Sequence, residues 1–250
     1  MVYKRYIKRN GKRLGPYYYE SYRDKHGRVV SRYLKDYTQS QSLLLAPTEF
    51  PREIELSYIF NGAIHDFIQG SSISGKERIF FLGNKQSNPN QLAYFIAPDI
   101  GDEESTNVGH EEALFLARER FDFLDFAGAF HTHPPKENEK GTILGFSIID
   151  LANLIYGAEV FSAIGNEEEV LFAFKTSQTD VYDMRHGDFI ELWKKQLMAL
   201  RVKFLSENPG TNLDEKFQAD TKRQINSEIA NEYHLVLYSG KPGATLGKVG

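Results

Sequence analysis

The sequence predicts a mixed α/β chain of the α+β kind, and three observations carry that expectation. Apolar, aromatic runs of strand length recur through the first two thirds, bounded by Gly, Asn and Pro clusters. Helical periodicity appears near residues 108–120 and 148–156, and again over two long stretches of the last third. Charge is divided along the chain. Residues 1–36 carry eleven Lys/Arg against three acids, whereas the other 214 residues carry 19 basic and 31 acidic side chains. Opposite surfaces of that kind predict separate modules. The expected organisation is a basic Tyr-rich β module at 1–40, a central domain at 45–180, and a C-terminal helical extension at 181–250 with a final strand and a flexible tail.

The first forty residues read as a three-stranded antiparallel meander. Tyr3–Arg9 meets Asn10-Gly11, a dipeptide whose residues tolerate positive φ in a tight hairpin. Pro16–Arg23 is the second strand, and Arg28–Leu34 the third after Asp24-Lys25-His26-Gly27. Eight of the 14 tyrosines fall between Tyr3 and Tyr37. Such rings either build a small core with polar tips or stack beside phosphate-binding Lys/Arg. Nucleic acid or an acidic protein surface is therefore the expected partner of this module. Its Gly15-Pro-Tyr-Tyr segment also resembles short modules at the front of assorted prokaryotic proteins, a resemblance that implies no activity.

Asp36–Ser42 reads as a linker. Pro51 to Leu56 is expected to be a helix end or turn, with Ser57–Asn61 entering a strand that Ala63–Phe67 continues or bulges, and Gly70–Gly75 a loop. Glu77–Leu82 and Leu92–Ala97 are strand-length apolar runs, and Val108–Arg120 is an amphipathic helix. Phe123–Phe130 returns to strand and delivers His131. Ser147 suits the N-cap of a helix over Ile148–Tyr156. Val160–Ile164 and Val170–Lys175 form a further antiparallel pair. Helices over Gly187–Ser206 and Leu213–Ala230 and a strand over Tyr233–Tyr238 complete the chain. The glycines near Lys241 and Lys248 lack the spacing of a phosphate loop.

With no cysteine, a disulfide framework, thiolate metal sites and a cysteine nucleophile are all excluded. No apolar run approaches the ~20 residues of a membrane span, and the N-terminus lacks an apolar signal core, which predicts a cytoplasmic protein without membrane contact. Any metal must then use His, Asp, Glu or water. On a strand, residues two apart share a face at about 7 Å between Cα atoms, so His131 and His133 can reach one ion. Asp150, in the first turn of the following helix, can supply a third ligand. Three protein ligands leave a fourth tetrahedral position open, as in catalytic zinc sites. Ser147, one turn earlier, can donate to a developing oxyanion. Each residue also has an ordinary explanation: surface rings for the histidines, an N-cap for Ser147, a helix-dipole carboxylate for Asp150.

Together, Ala127-Gly-Ala-Phe-His-Thr-His-Pro and Ser147-Ile-Ile-Asp resemble the JAMM (MPN+/JAB) zinc metalloprotease signature, over roughly residues 45–175. The resemblance implies a curved mixed sheet flanked by helices, Zn2+ on His131, His133 and Asp150, and Ser147 as oxyanion donor. It further implies an upstream glutamate, seven residues before a glycine, that activates water. Glu55 stands seven before Gly62 and is preferred on that ground to Glu53. Two features depart from the family: the 13-residue spacer Pro134–Phe146, longer than usual, and Tyr58 in place of a small residue.

The expected activity is hydrolysis of an amide or isopeptide bond after the tail of a ubiquitin-like or sulfur-carrier-like protein, with Glu55 assisting the attacking water. The competing expectations are a non-catalytic MPN-like scaffold and a nucleic-acid-associated JAB-domain protein targeted by its basic front module. Substrate identity and oligomeric state are open at this level.

Overall fold

The computed structural model describes residues 2–9, 12–23, 29–33, 47–85, 92–96, 117, 119, 123–133, 145–157, 159–179, 184–209 and 215–249. The chain divides into two compact units, Met1–Leu44 and Leu45–Gly250. In the first, β1 (Val2–Arg9), β2 (Lys12–Arg23) and β3 (Val29–Tyr33) form an antiparallel sheet in that order. Tyr3, Tyr19 and Tyr33 share one row across the three strands. The β1–β2 register slips between Arg5 and Ile7, opposite Gly15-Pro16. Proline lacks the ladder N–H, so an irregularity is where a strand accommodates it.

The second unit is a mixed α+β structure around one eight-stranded sheet. Its strands are β4 (Glu53–Ile54), β5 (Ile79–Lys85), β6 (Leu92–Ile96), β7 (Phe123–Thr132), β8 (Phe161–Gly165), β9 (Val170–Phe174), β10 (Val236–Gly240) and β11 (Leu246–Val249). Their order is β4-β11-β10-β9-β8-β7-β5-β6. Every pairing is antiparallel except β7–β8. A parallel pair needs a crossover, and α2 (Ile148–Tyr156) provides it.

Both faces of the central strands are covered. Ile64, Phe67 and Ile68 of α1 (Tyr58–Ser74) bury against Phe80, Phe130, Phe161, Phe172 and Tyr238 on one face. On the other, α2, α3 (His186–Glu207) and α4 (Glu215–Glu232) meet Ile164, Leu171, Ala173 and Leu237. Neighbouring residues such as Leu171 and Phe172 thus enter opposite cores. That is why these strands read as continuous apolar runs, without polar alternation.

Segment 57–75 corrects the expected strand and loop: it is helix. Ser57 caps its start by accepting the Phe60 amide at 3.3 Å, and Gly75 ends it at φ 66°, a left-handed conformation that glycine adopts freely. The buried spacing of Ile64, Phe67, Ile68 and Ser71 is helical. The C-terminal segment also differs from expectation. Residues 181–250 do not stand apart, because β10 lies inside the sheet and β11 pairs both β10 and β4. The tail expected to be frayed turns at Gly243, φ 78°, and returns as β11, with Leu246 fully buried. Of the helix expected over Val108–Arg120 only Ala117 and Glu119 are described, both helical, while the linker Asp36–Ser42 and most of the loop after His133 lie outside the described residues. No described helix is long and apolar enough to cross a membrane.

Candidate metal-binding and catalytic site

The site assembles where the parallel crossover begins. β7, between β5 and β8, ends in His131-Thr132, and His133 follows directly. Thr132 N–H donates to Arg78 O and His133 N–H to Gly165 O, both at 2.9 Å. The close approach of β8 explains Gly128, because a Cβ there would run into the carbonyl and ring of Phe161. The His131 and His133 rings converge, with Nε2 atoms 3.2 Å apart. Two zinc–nitrogen bonds of ~2.05 Å at a tetrahedral angle would set their nitrogens ~3.3 Å apart. The pair can therefore share one proton, or turn both lone pairs onto one cation.

Asp150 reaches the pair from α2, its Oδ1 lying 3.9 Å from His131 Nε2. Its Oδ2 accepts the Ser147 amide at 2.8 Å, while Ser147 Oγ accepts the Asp150 amide at 3.1 Å. This reciprocal capping box makes one local device of the two residues. It also fixes Asp150 with one oxygen engaged and the other facing His131. Both ordinary explanations of these residues are therefore true, and both are compatible with a site. As the side chains stand, no group of three His, Asp or Glu among the described residues closes to metal-holding distance. The gap is 3.9 Å where about 3.3 Å is needed, within a small side-chain adjustment.

Burial holds the proton affinity of His131 below its usual value, Asp150 opposes that, and the positive charge of Lys222 adds to it. A neutral imidazole is the form a metal requires. Two imidazoles and a carboxylate with one free oxygen thus fit a zinc ion in donor type and in nitrogen spacing.

Glu55 is not brought to this site. It is exposed, in the short link between β4 and α1. β4 lies five strands from β7, about 24 Å across the sheet at ~4.8 Å per strand. The helix gives a similar figure. α1 has 17 residues, about 25 Å, and its far end, at Ser71, contacts Thr132. Gly62, which fixed the register for Glu55, is inside α1, with nothing close to where a Cβ would stand. Glu53 is at the same distant edge, opposite Gly247.

The carboxylate at the histidines is Glu77. It is 7% exposed, and its Oε1 stands 3.9 Å from His133 Nδ1. The β5–β7 register pairs Ile79 with His131, so two residues further it sets position 77 opposite His133. Both neighbours of Glu77 are tied down. Lys76 O accepts the Ser71 hydroxyl at 2.6 Å, and Arg78 N–H donates to Thr132 Oγ1 at 2.8 Å. Thr132 Oγ1 donates in turn to Ser71 Oγ, also at 2.8 Å, and both hydroxyl residues are buried. Sequence reading missed Glu77 because nothing local reveals that β5 lies beside β7. The one available signal was an acid at the entrance of an apolar strand.

The chain matches no family model and no curated protein.

Proposed function

We propose that the protein is a zinc-dependent metallo(iso)peptidase with a JAB/MPN-like fold, hydrolysing an amide or isopeptide bond after the tail of a ubiquitin-like or sulfur-carrier-like protein. The observation that carries this reading is the convergence of His131, His133, Asp150 and Glu77 from three separate chain segments, with the imidazole nitrogens 3.2 Å apart. Such an arrangement serves no packing purpose, and it leaves two acids beside two bases. His131 Nε2, His133 Nε2 and Asp150 Oδ1 would hold the zinc. Bound there, zinc would supply Lewis-acid polarisation, which brings the pKa of water from ~15.7 toward ~7.

The protein's own groups account for the remaining steps. Glu77 takes the role that the sequence pattern suggested for Glu55: it accepts the proton of the attacking water and delivers it to the leaving amine. Ser147 Oγ already accepts the Asp150 amide, so its own hydrogen can be donated to the carbonyl oxygen as charge develops. Asp150 Oδ2 stays on the Ser147 amide, which keeps Oδ1 facing His131.

Glu77→Gln tests the assignment. As the base, it should cost about 10²–10⁴-fold in turnover while zinc remains stoichiometric. If zinc affinity instead falls about 10–100-fold, Glu77 only orients His133 through Nδ1, and the base is elsewhere. A protein that takes up no zinc in wild-type form would favour the scaffold reading.

A second reading concerns residues 1–44 alone. Lys8 stands opposite Arg13, and Arg9 opposite Lys12. Residues 1–36 carry eleven Lys/Arg against three acids, and neutralised phosphates supply most of non-specific nucleic-acid affinity. A polyanion, nucleic acid foremost, is thus the partner proposed for this hairpin. Full-length protein and a Lys8→Gln/Arg13→Gln variant should differ in the salt dependence of oligonucleotide binding. The slope should fall by about 0.7–0.9 for each phosphate that is no longer neutralised. Equal slopes would sink this reading.

A further inference from the structure

The peptide that joins Phe146 to Ser147 is bonded on both of its sides. Its N–H donates to Asp150 Oδ2 at 2.8 Å, and its carbonyl, Phe146 O, accepts from Asn226 Nδ2 of α4 at 3.0 Å. A peptide unit is planar, so holding the carbonyl also fixes the direction in which the N–H points. Asn226 therefore reaches Asp150 through one rigid plane. With Oδ2 engaged there, Oδ1 is the oxygen left 3.9 Å from His131 Nε2.

Helix α2 does not supply this restraint by itself. Its hydrogen-bond ladder starts one residue later, where Leu151 N–H donates to Ser147 O at 3.3 Å. The capping box ties Ser147 to Asp150, and the two would turn together as a unit. Asn226 ties that unit to a separate element. Its own place is set by burial: Asn226 is 4% exposed, beside Ile225 and one turn before Ile229, both in the core that holds Phe146 and Leu151.

Stability does not account for the bond. Asn226 Oδ1 is buried and, among the described residues, meets no donor. A buried polar atom left unmet costs as much as one neutral hydrogen bond returns, or more. The amide thus adds little to folding, and what it adds is placement.

We propose that Asn226 is a positioning residue for the metal centre, holding Asp150 with Oδ1 turned toward the histidine pair. The inference rests on the zinc-hydrolase reading and adds to it a residue from outside the crossover.

Zinc affinity is measured on full-length protein by competition with a chelator, in wild type, Asn226→Leu, Asp150→Asn and the double variant. Leucine keeps the volume and removes both the donor and the unmet oxygen. Affinity should fall about tenfold or more, as for other groups that orient a metal ligand, while the midpoint of chemical denaturation stays near that of wild type. In the Asp150→Asn background the same change should alter affinity by no more than about twofold, because no anionic ligand is left there to orient. Equal affinity in wild type and Asn226→Leu overturns the proposal and leaves the zinc reading standing. A loss repeated in full in the Asp150→Asn background also overturns it, since Asn226 would then act elsewhere than on Asp150. If leucine lowers the denaturation midpoint, Asn226→Ala removes the donor without bulk and is held to the same two comparisons. A wild-type protein that takes up no zinc removes the zinc reading, and the proposal with it.

Discussion

Segments 53–62 and 76–83 each place a glutamate shortly before apolar residues, yet they end in opposite circumstances. Glu55 is exposed at the β4 edge, two residues before the Ser57 helix cap. Glu77 is buried, and the backbone on either side of it is tied to Ser71 and Thr132. The difference lies in what each segment becomes. The residues after Glu55 wind into α1 and carry the chain along the sheet. The residues after Glu77 enter β5 directly beside the histidine strand. A carboxylate comes to lie beside the histidines through strand adjacency, which sequence separation does not report.

The comparison can be broken or sharpened by substitution, starting with the largest effect. Asp150→Asn keeps a side-chain oxygen that can still accept the Ser147 amide, so the capping box can survive. It removes the anionic donor, however, and should cost more than the ~10–100-fold in zinc affinity typical of losing a supporting residue. Turnover should vanish with the metal. Zinc retained at full affinity would remove Asp150 from the ligand set. Next comes Glu77→Gln, with its loss in turnover at constant zinc content.

Thr132→Val keeps shape but deletes the hydroxyl linking Ser71 to Arg78. The mechanism is an unmet buried donor, expected to cost about 1–3 kcal/mol in chemical denaturation. Because the same hydroxyl holds the backbone beside Glu77, turnover should fall up to about 100-fold through misplacement. A stability loss with unchanged turnover would show that Glu77 is positioned by other contacts. Glu55→Gln should be the smallest, within about twofold of wild type in both measurements, as expected for an exposed substitution. Inactivation by that change would reverse the assignment of the two glutamates.

The local parts of the site were legible because they are local. His131 and His133 share a face by strand period, and Ser147 with Asp150 is a capping box readable from four consecutive residues. The long helices α3 and α4 began and ended within two residues of expectation, since each is amphipathic and they are separated by Asn208-Pro209-Gly210. Helix α1 was misread for a physical reason. Phe60, Ile64 and Phe67 resemble strand residues, and Gly62 and Gly70 are poor helix formers. Its helical state is set by Ser57, Gly75 and burial of one face against the sheet.

Sequence by itself determined the mixed α+β class, the histidine pair with its capped carboxylate, and the tyrosine-rich basic meander. Each follows from residue spacing along one element, where backbone geometry fixes which side chains are neighbours. Tertiary structure alone decided that β5 lies against β7, that β10 and β11 complete the sheet, and that α4 brings Asn226 to Phe146. Those choices depend on which distant apolar faces bury together. They determined which glutamate stands beside the histidines.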